Sequence, residues 1–334
     1  MSTPPTLVSI EQDAAAFAGI RSSAPFAEIE AHPQTGAYAR LYYPAVHGDA
    51  CRDVSFAVLI DGRPAAVVLC TLLSGQLCLY GLPLRVFYAA GAASATQVLA
   101  TRTVMAEIDR LGKVHAVSEV LVRDTAGAAL TPLGEACLSR NARADVKVVA
   151  EVDLTLGEEG WRKSLRKRYK PLINWGKKNL AIQVVDHGTR DDLAFQRFRD
   201  FHLQVAGRVT RPESSWLAMQ EWLNAGQSEL LLATHESRLV SASYFVEGTT
   251  TAIYMTGVYD REQFDKPLAH YVMWLGIERA ASRGRTLLEL GDIEFRGTVD
   301  DKYHQIGYFK RGFATRLASH FIWKWTPKTD GDNE

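Results

Sequence analysis

Along most of the chain, apolar and polar residues alternate in short runs bounded by turns, the period-two pattern of half-buried strands. From Ser55 the runs read SFAVLI, a tight Asp61-Gly62 turn, RPAAVVLCTLL, a Ser-Gly break and QLCLYGLPLRVFYA, which predicts three successive strands. Residues 95–111 then place Val98, Leu99, Val104, Met105 and Ile108 near helical spacing and stop at Leu-Gly. KVHAVSEVLV reads as a strand, TPLGEACLSRNA as a short helix and DVKVVAEVDLTL as a closing strand. Ahead of these runs, residues 10–20 read as a short helix, and the turn-rich stretch 36–53 gives no assignment.

The second half repeats this order. After the strand LAIQVVD come two helices, with Phe195, Phe198 and Phe201 on one face of the first and Trp216, Met219 and Trp222 on the second. ELLLATHE, LVSASYFVEG and TTAIYMTGV are hairpin-linked strands, followed by a Pro-headed helix at 268–283, the strand TLLEL, a helical turn at 301–309 and the strand RLASHFIWKW. Both halves read strand-strand-strand-helix-strand-helix-strand at an offset of roughly 175 residues, the mark of a duplicated unit. The expected fold is therefore α/β with a mixed sheet, built twice: a first domain over 1–156, a second over 157–327 and a short tail at 328–334. In the β-α-β unit of the second half, ligands should collect beyond the carboxyl ends of the parallel strands. That rule places Thr256, Tyr259, Asp260, Glu289 and Asp292 on one edge.

Length supports two cores, since 334 residues exceed what one usually organises. Charge is balanced, with 38 basic and 38 acidic residues, so no global field draws the chain to DNA or a membrane surface. The balance breaks locally in WRKSLRKRYKPLINWGKK, which has eight basic residues and no acid, interleaved with Trp161, Tyr169 and Trp175. Arg162, Lys163, Arg166, Lys167, Arg168 and Lys170 are accordingly candidates for polyanion contact. The competing reading is a solvated helix face, because Leu165, Tyr169, Leu172 and Ile173 form an apolar stripe, with Pro171 splitting the helix. The start carries no basic-then-apolar leader, and no apolar run approaches the ~18 residues of a membrane span, which points to a cytoplasmic protein. Cys51, Cys70, Cys78 and Cys137 lack metal-like spacing and read as core thiols, and no metal is expected. Nucleophile-elbow, P-loop and zinc-peptidase motifs are absent.

The order of elements resembles the acyltransferase fold of the Gcn5-related N-acetyltransferase (GNAT) superfamily. The closing pattern, YDR followed by PL, W, I, A and RG, then LELGD, then DKYHQIGYFKRGF, is similar to the Fem-type aminoacyl transferases and related polysaccharide-pathway acyltransferases, which carry this fold twice. The likeness is good over residues 180–325 and topological only over 1–150. It implies a degenerate first domain and a catalytic second one. It also implies transfer of an acyl or aminoacyl group to an amine on a cell-wall, sugar or metabolite precursor, with no cofactor. The donor is then a co-substrate, aminoacyl-tRNA or acyl-CoA. In such families a lysine follows a phenylalanine near the C-terminus, which here is Lys310.

Acetyl-CoA users place a glycine-rich loop before the helix of this unit, whereas YDREQFDKPLAH contains no glycine and brings Asp260 and Asp265 instead. The corresponding YAAGAASATQ of the first half has Gly91 and Ser94 at a helix start, where a phosphate could sit, though such a turn is also an ordinary loop. Acyl transfer needs a neutral amine and donors for the oxyanion. Lys310 is the candidate oxyanion donor, and Asp292, with Glu289 behind it, the candidate base or ammonium ligand. Against these stand a surface lysine beside Arg311 and a turn-capping aspartate. Tyr254, Thr256, Tyr259, Arg261, Tyr303 and His304 complete the substrate-binding candidates. An acyl-CoA- or carrier-protein-dependent N-acyltransferase of polysaccharide or secondary metabolism and a non-catalytic RNA- or nucleotide-binding protein are the alternatives.

Overall fold

The computed structural model describes residues 4–23, 33–47, 51–294 and 301–327. The chain forms two compact units, one made of residues 1–147 with 319–334 and the other of residues 148–318. Its elements are β1 (Thr6–Ser9), α1 (Ala14–Ser23), α2 (Pro33–His47), β2 (Arg52–Asp53), β3 (Phe56–Ile60), β4 (Arg63–Leu69), β5 (Thr71–Leu73), β6 (Gln76–Cys78) and β7 (Leu84–Tyr88). Then come α3 (Ser94–Val114), β8 (Glu119–Thr125), α4 (Pro132–Leu138), β9 (Arg143–Asp153), α5 (Gly157–Ser164), α6 (Tyr169–Asn179), β10 (Ala181–Val185), α7 (Asp192–Ala206) and α8 (Glu213–Asn224). The series closes with β11 (Ser228–His235), β12 (Arg238–Glu247), β13 (Thr251–Tyr259), α9 (His270–Ser282), β14 (Leu287–Ile293), α10 (Asp301–Arg311) and β15 (Arg316–Trp325).

In the first unit β1, β3, β4 and β7 pair antiparallel in turn, and β7 then pairs β8 in parallel over Leu84↔Val122 and Arg85↔Arg123 only. Residues 320–325 of β15 close that sheet against β8. In the second unit β10, β11, β12 and β13 pair antiparallel, and β13 meets β14 in parallel over Thr251–Ile253 and Leu287–Glu289. The later residues of β9, from Val148, close this sheet against β14. The duplicated α/β fold read from element order is thus present, and each unit receives its closing strand from the strand that ends the other half of the sequence. The sequence boundaries at 156 and 327 do not coincide with the compact units for this reason: hydrophobic alternation marks a strand but not its partner. The expected tail lies outside the described residues.

Two cores result. The apolar face of α3 (Ala100, Val104, Met105, Ile108) packs in one cluster with Phe56, Val58, Ala66 and Val68 of β3 and β4. Val272, Met273, Ile277 and Ala280 of α9 do the same with Leu231, Phe245 and Leu288. The aromatic faces expected on α7 and α8 are buried. Local differences have local causes. QLCLYGLPLRVFYA breaks at Tyr80-Gly81, both at positive φ, into β6 and β7. Lys113 and Val114 continue α3 rather than opening a strand, and Ala116 at φ 48° makes the turn. The unassigned stretch contains most of α2, which the Pro44 within it had obscured. Three cysteines are buried, as core thiols should be, and Cys51 is half-buried. Among the described residues no helix is long and apolar enough to cross a membrane.

Candidate active site

The second unit has a place where its sheet parts. β13 and β14 are nine and seven residues long yet pair over three, so beyond Ile253 and Glu289 the two strands diverge. Register shifts sit on both sides of the gap, at Tyr244/Phe245 between β12 and β13 and at Glu289/Gly291 between β14 and β9. Such bulges bend a strand and re-aim its side chains. Asp292, expected just after the strand, is inside it, because Val149 of β9 supplies its pairing partner.

Gly291 is the hinge of this geometry. Its φ of 93° lies in the left-handed region, and a Cβ placed on it would stand 2.7 Å from the Lys310 ammonium nitrogen. Lys310, in the last turn of α10, therefore lays its Nζ against the β14 backbone two residues past the last β13–β14 pair. Burial holds this ammonium below the usual lysine range, while Asp292, Glu289 and Glu294, in that order of strength, pull it back up. The arrangement is a partly desolvated cation facing three carboxylates. It unites Lys310, Asp292 and Glu289 as the sequence suggested and adds Glu294, which no motif had marked.

The substrate-binding candidates divide. Tyr254 and Tyr259 on β13 join hydroxyls at 2.5 Å, and burial pushes both phenols up. Thr256 accepts a 2.7 Å hydrogen bond from Arg211, whose guanidinium also approaches His202 Nε2 at 3.3 Å and stacks over Trp216. Arg211, His202 and Trp216 border a pocket of about 290 Å³ between α7 and α8, which Thr256 does not line. Burial and then Arg211 hold the His202 imidazole down at about 4. Arg211, His202 and the pocket escaped sequence reading because an Arg-Pro step in a loop carries no periodic signal. Arg261 is exposed, and Asp260 and Glu262 beside it pair with Arg238 instead. Tyr303 and His304 sit about two turns before Lys310 on α10, Tyr303 largely exposed and His304 half-buried.

The basic run has two faces. Trp161, Leu165, Tyr169 and Ile173 are buried in the unit's core, so the apolar stripe is real. Pro171 does not split a helix: it occupies the first turn of α6, where its missing N–H is harmless, and the break falls at 165–168. Of the cations, Arg162 pairs with Glu158 at 2.6 Å, while Lys163, Lys167, Arg168 and Lys170 are exposed. Arg166 donates to the Tyr308 carbonyl at 3.0 Å and to the Tyr169 hydroxyl at 2.9 Å. Tyr169 fits under the end of α10 because Gly312 has no side chain, since a Cβ there would lie 2.1 Å from the Tyr169 ring. Among the described residues no group of three or more candidate metal ligands occurs.

Comparison with solved structures gives the same fold. FemX matches with a TM-score of 0.67 at 10% identity, covering 96% of this chain and 97% of its own. A tandem GNAT protein from the clavulanic acid biosynthesis pathway matches with a TM-score of 0.56 at 12% identity, covering 97% and 99%. The C-terminal domain of a putative lysylphosphatidylglycerol synthetase from Agrobacterium fabrum matches with a TM-score of 0.54 at 11% identity, covering 78% and 81%. No protein-family model and no curated protein matches the sequence. The fold is a duplicated GNAT-like fold.

Proposed function

We propose that the protein is an N-acyl or aminoacyl transferase whose reaction centre lies in the second unit, at the parting of β13 and β14. The carrying observation is the Lys310 ammonium seated on Gly291 with Asp292, Glu289 and Glu294 around it. In this reading a carboxylate of the pair Asp292 and Glu289 takes the proton of the acceptor ammonium. The freed nitrogen attacks the donor carbonyl carbon, and the carbonyl electrons move to oxygen, where the Lys310 cation meets the developing charge. Collapse reforms the C=O bond and expels the donor's ester oxygen or thioester sulfur, which takes up the proton that the attacking nitrogen loses in becoming an amide. Tyr254, Thr256 and Tyr259 line the β13 side and serve to position substrate.

The donor in this proposal is aminoacyl-tRNA and the acceptor an amine on a cell-wall, sugar or metabolite precursor. Support comes from the overall likeness to FemX and from the turn before α9, where Asp260 caps a short helical turn and glycine is absent from Asp260 to Ala269. A second reading, an acyl-CoA donor, is favoured by one feature. Gly91, at φ 75°, turns the chain just before the N-terminus of α3, a suitable anion seat. The deciding experiment supplies labelled aminoacyl-tRNA or labelled acetyl-CoA, with a pool of small amines, to the parent and to Lys310→Met. Transfer from tRNA that ribonuclease abolishes and Lys310→Met lacks is expected. Ribonuclease-resistant transfer from acetyl-CoA would install the second reading.

A further inference from the structure

Tyr308, on α10 two residues before Lys310, is surrounded by guanidinium groups. Arg166 lies 3.7 Å from the ring centroid, Arg168 4.9 Å and Arg311 5.6 Å. They come from two separate segments, the loop between α5 and α6 and the end of α10, so no linear motif shows the cluster. Arg166 is fixed by its bonds to the Tyr308 carbonyl and the Tyr169 hydroxyl, and Tyr169 is itself packed against Phe309 and Phe313. Among the described residues none of the three arginines is in an ion pair, in contrast to Arg162 with Glu158. Like charges that converge on one ring without a carboxylate repel one another. An anion placed among them relieves that repulsion.

Resting on the transferase reading, we propose that Arg166, Arg168 and Arg311 around Tyr308 form the seat for an RNA phosphodiester at the 3′ end of the donor, on the helix that carries the reacting lysine. Guanidinium groups suit this role because their planar forks match phosphate oxygens and their faces stack on an aromatic ring. Position along the chain ties the seat to the chemistry, since Tyr308 and Arg311 share the last helical turn of α10 with Lys310. The charge also runs onward. Lys163, Lys167 and Lys170 are exposed on α5, α6 and the loop between them, a spread suited to successive phosphates rather than to one pyrophosphate. The helix that would cradle a pyrophosphate in this unit, α9, is instead preceded by Asp260 and Glu262, both paired with Arg238.

The test is a salt titration of binding to an uncharged RNA minihelix with a single-stranded 3′ end, with coenzyme A as a second probe. The variant is Arg168→Gln with Arg311→Gln, because both side chains are exposed and neither anchors the fold. Affinity for the minihelix should fall about tenfold at low salt, and the slope of log affinity against log salt should flatten by about 1.4, for two contacts with single-stranded phosphate. Lys310→Met should bind the minihelix like the parent. Unchanged affinity and slope in the folded double variant would overturn the seat. So would a loss of coenzyme A binding with minihelix binding intact, or a loss of minihelix binding in Lys310→Met. Failure of the transferase reading shows elsewhere, as normal turnover by Lys310→Met, a quantity this titration does not use.

Discussion

The two units share one topology and differ in what they leave available at the same place. In each, a parallel pair parts after two or three residues, a helix follows the second strand, and a basic residue stands at that helix's end. In the first unit that residue is Arg140, just past the seven-residue α4, and its guanidinium is held bidentately by Asp109, at 2.5 and 3.0 Å, and by the Ala136 carbonyl. The carboxylate of β8, Asp124, is buried and accepts from the Thr131 hydroxyl and the Thr125 amide. In the second unit α10 is a full turn longer, and Lys310 turns back onto β14 at a glycine while Asp292 stays exposed. One unit has committed its polar groups to the fold, and the other holds a desolvated cation among carboxylates. Duplication lets one copy tie down its polar groups while the other leaves charge uncommitted to the fold.

Removing the two cations separates these roles most sharply. Lys310→Met should lower turnover by about 10²-fold or more, the scale for one oxyanion donor, with little change in stability. Arg140→Met should do the reverse, leaving turnover intact and costing about 1 kcal/mol in urea unfolding, the upper end for an exposed bidentate pair. Equal kinetic losses in both would erase the distinction between scaffold and site.

Gly291→Ala tests the seat itself. The new Cβ would displace the Lys310 Nζ, and alanine at φ 93° costs about 1–2 kcal/mol in backbone strain. Turnover should drop by up to about 10²-fold, the scale of misplacing a reacting group by about an ångström. Gly62, also at positive φ but with nothing within 4 Å, is the control in the first unit. Gly62→Ala should show a comparable loss of stability with normal turnover, and a kinetic loss there would mean that strain alone explains the result.

Protonation gives a finer contrast. In the proposed reaction Lys310 must be charged to meet an oxyanion, and burial lowers its proton affinity, so turnover should fall with rising pH before an ordinary lysine, near 10.4, would titrate. Lys310→Arg should remove that alkaline limb. On the acid side, burial holds His202 and His270 in the second unit and His320 in the first at about 4. Unfolding restores values near 6.5, so the unfolded chain binds protons first. Their stabilisation is complete above 6.5 and is lost as pH falls toward 4. His270→Phe, which keeps a ring among Tyr169, Phe309 and Phe313, should shallow the decline seen in urea titrations at pH 6.5 to 4.5. An unchanged decline would mean that His270 is not buried in its neutral form.

What could be read in the sequence follows from how far apart the partners are. Strands β3 and β4 and the apolar face of α3 were legible because alternation and helical spacing are local signals. So was the FKRGF segment that marks Lys310. The parting of β13 from β14 was not, since it depends on β9, more than 130 residues away, taking over the pairing of Gly291 with Ala150. Arg211 and the Tyr308 cluster were hidden for the same reason: Arg211 needs Thr256 from another element, and Arg311 needs Arg168. The exchange of closing strands escaped as well, because β15 and β9 look alike in pattern and only tertiary pairing decides which sheet each completes.

Arg162 carries the smallest expected effect, and it marks where the basic run stops being a binding surface. Sequence alone groups it with Arg166 and Arg168, whereas the fold gives it a partner one helical turn away, Glu158 at 2.6 Å, and lays it over the Trp274 ring at 4.9 Å. An exposed pair at this spacing is worth about 0.3–0.5 kcal/mol, so Arg162→Gln should leave unfolding within about that range. Minihelix affinity should also stay within about twofold, because Glu158 offsets much of the charge that a phosphate would feel. Glu158→Gln is the complementary change: it should release Arg162 and strengthen RNA binding slightly at low salt, an effect that fades as salt screens the exposed charge. If Arg162→Gln instead weakens RNA as much as Arg168→Gln does, the contact extends along α5 and the Tyr308 cluster is one part of a longer track.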